Sequence, residues 1–151
     1  MKKIQVRVWH ELAHDKGLPF YATAGAAGMD IIANQTVHLE AKETKLIPTG
    51  LFVSIPEGYE IQIRPRSGMS LKTKLRVANA PGTIDSDYLG EIQVIMENTS
   101  GSIATTVGKG ERIAQMVLCE VPQIQWVEVS SKDQLGTTER GAGGFGSTGT
   151  A

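Results

Sequence analysis

The sequence holds a single cysteine, Cys119, so no internal disulfide can form and a reducing compartment is the natural setting. Aromatic residues are scarce, at 5% of the chain, so each one outside an apolar run invites a reason. Neither sign of charge dominates. The 15 Lys and Arg against 16 Asp and Glu leave a net charge of −1, without the basic excess of a general nucleic-acid binder. No stretch approaches the roughly twenty apolar residues of a membrane span. After Lys2 and Lys3 the chain reads "IQVRVW", which alternates and lacks the apolar core of about seven residues that a secretory signal needs. The expectation is a cytoplasmic protein whose partners include neither nucleic acid nor membrane.

What is present fits one domain over residues 1–151, with 40% hydrophobic residues to build a core. The dominant period is two. Segments 4–8, 36–40, 51–55, 59–63, 91–96, 103–107, 112–121 and 125–129 all alternate as strands do. Turn signals punctuate them at 48–50, 56–58, 80–82, 100–101 and 108–110. Only "SGMSLKTK" (67–74) suggests a short helix, with Ser67 as its N-cap. Many short, closely spaced strands predict an all-β fold, a jelly-roll-like barrel or sandwich. The pattern fades after about Ser131, leaving 132–151 as a mobile, glycine-rich C-terminal arm.

"HELAH" (10–14) matches the zinc-protease pattern, in which one helical face carries two histidine ligands. Phe20 stands where a third histidine would extend it, and Leu18–Pro19 would end any helix within about two turns. The match is expected to be a chance one, in a loop or short turn.

The glycine-rich loops say more. "ATAGAAGMDI" (22–31) ends in Asp30 and Ile31, and "RPRSGMS" (64–70) joins a strand to the short helix with Arg66, Ser67 and Gly68 at its head. Arginine beside free backbone N–H groups suits phosphate. "NAPGTIDSDYLGEI" (79–92) looks like a long hairpin carrying Asn79, Asp85, Asp87 and Tyr88, and "GERIAQ" (110–115) sets Arg112 and Gln115 on a strand. The chain ends in "RGAGGFGSTG" (140–149), where Arg140, Phe145, Ser147 and Thr148 interrupt five glycines. Each segment alone also reads as ordinary turn chemistry.

Taken in order and spacing, these five segments resemble the five motifs of the trimeric deoxyuridine triphosphate nucleotidohydrolases (dUTPases), across nearly the whole chain. The departures are Met69–Ser70, where leucine or alanine is more usual, and Thr83, where valine is common. The resemblance implies a jelly-roll subunit in a homotrimer with three sites between subunits. It implies a dUTP diphosphatase, which cleaves dUTP to dUMP and pyrophosphate with magnesium. That reaction limits uracil incorporation into DNA and supplies dUMP for thymidylate synthesis.

The same resemblance assigns roles. Asp85 would be the general base that activates water for attack on the α-phosphate. Uracil's polar edge would be read by main-chain groups around 79–93 with Asn79 assisting, Thr83, Ile84, Tyr88 and Gln93 completing the base and sugar site, and Phe145 of the arm stacking on uracil. Phosphates would meet Arg66, Ser67, Gly68, Gln115, Arg140, Ser147 and Thr148. Asp30 would support the site through a magnesium-bound water or a neighbouring arginine, and Arg112 as an ion-pair partner. No cluster of carboxylates stands at a metal-ligand spacing, which suits magnesium held by phosphates and water with no direct protein ligand.

Two rivals stand beside this reading. A deoxycytidine triphosphate deaminase would share the fold and substrate size but release ammonia. A non-enzymatic jelly-roll module would not need Asp85, Tyr88 and Arg140 together.

Overall fold

The structure, a computed structural model, describes residues 1–149; positions 150 and 151, the end of the expected arm, lie outside them. The strands are β1 (Arg7–His10), β2 (Met29–Ile32), β3 (Val37–Leu39), β4 (Thr44–Ser54), β5 (Tyr59–Arg64), β6 (Leu75–Val77), β7 (Gly82–Ile84), β8 (Glu91–Asn98), β9 (Thr105–Val107) and β10 (Arg112–Glu120). One α-helix, α1 (Ser67–Lys72), and a 3-10 turn (Lys132–Leu135) complete the described elements. One sheet runs β1-β4-β8-β6, a second runs β2-β10-β5-β7, and β3 pairs with β9. Every pairing is antiparallel. The fold is the all-β sandwich that the alternation predicts.

β8 shows why the sequence folds this way. Along "EIQVIMEN" every second residue is buried, so Ile92, Val94 and Met96 enter the core while Glu91, Gln93, Ile95 and Glu97 face the other side. A fully buried side chain of this size contributes about 1.5–3 kcal/mol. The core joins them to Ile47, Leu51 and Val53 of β4, and to Ile61, Ile63, Ile31 and Ile113 of the second sheet. Asn98 occupies the last inward position, 1% exposed. Its Nδ2 donates to the carbonyls of Leu39 (3.3 Å), Glu40 (3.1 Å) and Ile103 (2.8 Å), and its Oδ1 accepts from the Ser100 N–H at 3.1 Å. It thereby ties the end of β8 to β3 and to the approach to β9.

Several local expectations change. "PTG" (48–50) is not a turn between strands but a bulge inside β4, where the register against β8 shifts between Pro48 and Leu51. Proline cannot donate to the ladder, and Thr49 fills the gap by donating its hydroxyl to the Ile92 carbonyl at 2.5 Å. Gly50 adopts φ +70°, and a Cβ there would lie 2.7 Å from Asn34 Nδ2 and 2.8 Å from the Glu11 carbonyl, so only glycine fits. Segment 79–92 is not a hairpin: β7 pairs with β5 and β8 with β4 and β6, so this stretch crosses from one sheet to the other. Ser67 is the first helical residue, with Arg66 at the N-cap and no side-chain cap bond. Strands β2, β6 and β7 are too short for a period-two signal to stand out.

Residues 125–129 alternate but form no strand; 121–149 are exposed except Gly143 and Gly144. In "HELAH", His10 closes β1 opposite Leu51 and the following residues are not helical. Asn34 pins them instead, donating to the Glu11 carbonyl (3.0 Å) and accepting from Ala13 N–H (2.6 Å). The helical face that a zinc pair needs is therefore missing.

Replacing Asn98 with leucine removes its four hydrogen bonds, to Leu39, Glu40, Ile103 and Ser100, from the end of β8. Chemical denaturation should show a loss of at least about 2 kcal/mol; a loss under about 0.5 kcal/mol would contradict the role given to Asn98.

Candidate active site

Two clefts gather the polar residues of the glycine-rich loops, and they sit at opposite edges of the second sheet. The first, of about 340 Å³, opens beside edge strands β6 and β7 where the chain crosses between sheets. It brings together Asn79, Thr83, Ile84, Asp85, Tyr88 and Gln93, with Ile63, Gly82 and Glu91 in its wall. Alternation along β7 turns Thr83 and Asp85 outward, while Ile84, 9% exposed, belongs to the core as well as to the cleft wall.

Local bonds shape this cleft. The Tyr88 N–H donates to the Asp85 carbonyl at 3.2 Å, closing a turn, and the Tyr88 hydroxyl donates to the Glu91 carbonyl at 2.9 Å. Gly90 permits that fold-back, since a Cβ there would lie 2.5 Å from the hydroxyl oxygen. Glu91 opens β8 with both carboxylate oxygens engaged: Oε1 accepts from Gly50 N–H at 2.9 Å and Oε2 from Gln93 Nε2 at 3.2 Å. Sequence reasoning passed over Glu91 and Gly50. The only signal was the i, i+2 spacing of Glu91 and Gln93 on one face of an alternating strand.

The second group centres on Asp30, in β2. Its Oδ1 accepts from Arg66 Nε at 2.9 Å and its Oδ2 lies 3.6 Å from Arg112 Nε. Arg66 Nη1 also donates to the Arg112 carbonyl at 3.4 Å. Of the two supports expected for Asp30, the arginine one is present in this geometry. Gln115 donates Nε2 to the Pro65 carbonyl at 2.9 Å, at the foot of the loop that carries Arg66, Ser67 and Gly68. Its Oε1 would lie 2.7 Å from any Cβ at position 28, so Gly28 is what admits it. Beside this cluster, Lys16, Phe20, Asp30 and Arg112 line a cleft of about 470 Å³.

The two groups do not meet within one chain. Ile61 pairs with Ile84 and Ile63 with Gly82, so Asp85 continues opposite Glu60 while the loop to Arg66 leaves the far end of β5 at Arg64. Four residues of strand separate those ends, about 13 Å. The arm joins neither group. Arg140 Nε donates to the Gly143 carbonyl at 2.8 Å, and Arg140, Phe145, Ser147 and Thr148 are exposed. Phe145, at φ +52°, is held by none of the core.

Among the described residues no three His, Cys, Asp or Glu side chains are placed to hold a metal together. No helix among them is long and apolar enough to cross a membrane.

A family model described as dUTPase matches residues 15–149. The deoxyuridine 5'-triphosphate nucleotidohydrolase of Fusobacterium nucleatum subsp. nucleatum is 51% identical over 151 residues, covering 99% of each chain. That of Rickettsia felis is 52% identical over 134 residues, covering 87% of this chain and 88% of its own. Among solved structures, the dUTPase of Staphylococcus bacteriophage 80alpha with dUpNHpp superposes with a TM-score of 0.83 at 30% identity, over 98% of this chain and all of its own. A mutant dUTPase from phage phi11 of S. aureus, described with a structural Mg(II) ion, gives 0.77 at 25% identity, over 86% of this chain and 99% of its own. With a family model spanning most of its length and relatives at half identity, this chain belongs to the dUTPase family.

Proposed function

We propose that the protein hydrolyses dUTP to dUMP and pyrophosphate, in a homotrimer whose sites are assembled from different subunits. The observation that carries this reading is the separation within one chain of Asp85 from the Arg66 loop. A nucleotide lying between the base cleft of one subunit and the arginine cluster of another would meet both groups at once. The exposed apolar side chains of Val8, Trp9, Ile124, Trp126 and Val127 support association, since such surface is expensive to leave in water. Family membership supports both the chemistry and the assembly.

In this reading the cleft around Asn79 and Gln93 takes uracil, and Tyr88, anchored through its hydroxyl, forms a wall against the deoxyribose. Thr83 and Ile84 complete that side. Asp85, outward and bound to no other side chain among the described residues, accepts the proton of the water that attacks the α-phosphate. On the partner side Arg66, Ser67, Gly68 and Gln115 receive the phosphates, with Asp30 holding Arg66 and Arg112 in place. The arm of a further subunit closes over the nucleotide. Phe145 stacks on uracil, while Arg140, Ser147 and Thr148 take the terminal phosphates.

Among the described residues the carboxylates form no cage, and this donor set fits a magnesium ion held by phosphate oxygens and water with Asp30 nearby. Magnesium supplies charge neutralisation on the triphosphate. The lone, unpaired Cys119 suits a cytoplasmic enzyme.

Pyrophosphate release across dUTP, dTTP, dCTP and UTP tests the reading. dUTP should turn over at least about a hundredfold faster than the others, with no ammonia from dCTP. Comparable turnover of UTP would overturn the role of Tyr88 and Ile84, and ammonia release would revive the deaminase. Asp85→Asn keeps the shape but removes the base. It should lower kcat by roughly 10²–10⁴ while dUTP still binds; near-normal kcat would reduce Asp85 to a turn residue.

A further inference from the structure

The outward face of the second sheet carries a charged ladder that the proposed site leaves unused. Along β5 every second residue points away from the core, so Glu60, Gln62 and Arg64 share one face. Gln62 stands between the two charges and bonds to both. Its Nε2 donates to Glu60 Oε1 at 2.7 Å, and its Oε1 accepts from Arg64 Nε at 3.1 Å and Nη2 at 2.8 Å. A carboxylate only accepts and a guanidinium only donates, so one orientation of the glutamine serves both. Arg64 Nη2 also lies 3.7 Å from Cys119 Sγ of β10. Glu60 and Arg64 themselves stand about 13 Å apart along the strand. Among the described residues neither has an ion-pair partner, and both are half-buried. A charge partly withdrawn from water without a counter-charge is unfavourable, so this face suits a partner that brings the opposite sign to each end.

The strand register says which partner can do so. Residues opposite each other on neighbouring strands share a face, and Gln62 pairs with Thr83, so the ladder lies on the side that bears Thr83 and Asp85. Glu60 stands one strand away from Asp85, about 4.8 Å. Arg64 precedes Arg66 by two residues. A nucleotide shared between Asp85 of one subunit and Arg66 of another therefore brings the Glu60 end of the first ladder up to the Arg64 end of the second. Both offsets, one strand wide and two residues long, lie within the combined reach of a glutamate and an arginine side chain. In a threefold ring each subunit offers its Glu60 end to one neighbour and its Arg64 end to the other, so the contact repeats and closes.

We propose that a second copy of this chain docks on this face, with Glu60 of one subunit paired to Arg64 of the next and Gln62 aiming both side chains. The proposal rests on the reading of the active site as one assembled between subunits, and it names the contact that holds the two halves in register. The partner is a copy of this chain because the ladder is complementary to itself. It carries one charge of each sign, at the two ends that the shared site brings together.

Sedimentation over a range of protein concentrations, with dUTP turnover and a thermal melt alongside, compares wild type with Glu60→Arg, Arg64→Glu and the double exchange. Each single reversal sets like charges against each other across the contact. It should raise the concentration at which the trimer dissociates at least about tenfold, and turnover should fall with the trimer. The double exchange restores opposite charges and should return assembly to within about threefold of wild type. An unchanged trimer in both single variants overturns the proposal. So does a double exchange as weak as the singles, which would mark the face as merely sensitive to substitution. If a reversal does not fold, Glu60→Gln and Arg64→Gln carry the test: each should weaken the trimer, and the two together no further than the stronger one. Full additivity of these two overturns the pairing. A wild-type protein that sediments as a monomer would bring down the shared-site reading and this proposal with it, whereas an active wild-type trimer that the reversals leave intact brings down this proposal alone.

Discussion

Strands in an antiparallel sheet cannot slide past one another once their inward faces are buried, since a shift of one residue turns the whole apolar set outward. The pairing of β7 with β5 is such a constraint. Gly82 and Ile84 are buried on one side, which fixes Thr83 and Asp85 on the other and places Asp85 at the end of the sheet opposite to the Arg66 loop. The core thus decides that Asp85 and the Arg66 loop are separated within the chain. In the proposed function that separation is met by association of subunits, for which the exposed apolar side chains of the tail and of β1 offer a surface.

Hydrogen bonds brace the wall of the cleft beside β6 and β7. The β4 bulge looks like a defect in the ladder, but it places Gly50 N–H against Glu91 and Gly50's carbonyl against Glu11 N–H, 2.8 Å away. From Glu91 the order passes to Gln93 and Tyr88. The Asp30 cluster is organised differently. Asp30 sets two guanidinium groups side by side, where alone they would repel. Its carboxylate is 38% exposed and Arg112 more so, so water screens these pairs and their contribution is to orientation more than to stability.

Much of this was legible in the sequence, for physical reasons. Long alternating strands such as β5, β8 and β10 announce themselves because half of each faces the core. The five loops were legible through their glycines and polar residues, taken in order. Strands of three residues were not, and neither was the crossing at 79–92, because a crossing and a hairpin use the same turn residues. Residues 125–129 carry strand chemistry without a strand, since alternation marks one segment and pairing is a property of two. The bond between Glu91 and Gly50 stayed hidden because it depends on a bulge more than forty positions earlier in the chain.

The most direct measurement of the central claim uses two disabled proteins. Asp85→Asn lacks the base, and Arg66→Ala lacks the phosphate arginine; each homotrimer should be nearly inactive on dUTP. When the two are unfolded together and refolded as mixed trimers, sites that join an intact Asp85 from one chain to an intact Arg66 from another should form. Random assembly predicts activity near a quarter of wild type, since each intact group occurs in half of the chains of a symmetric oligomer. Mixed trimers that form and yet recover no activity would contradict the account, because base and arginine would then have to come from one and the same chain.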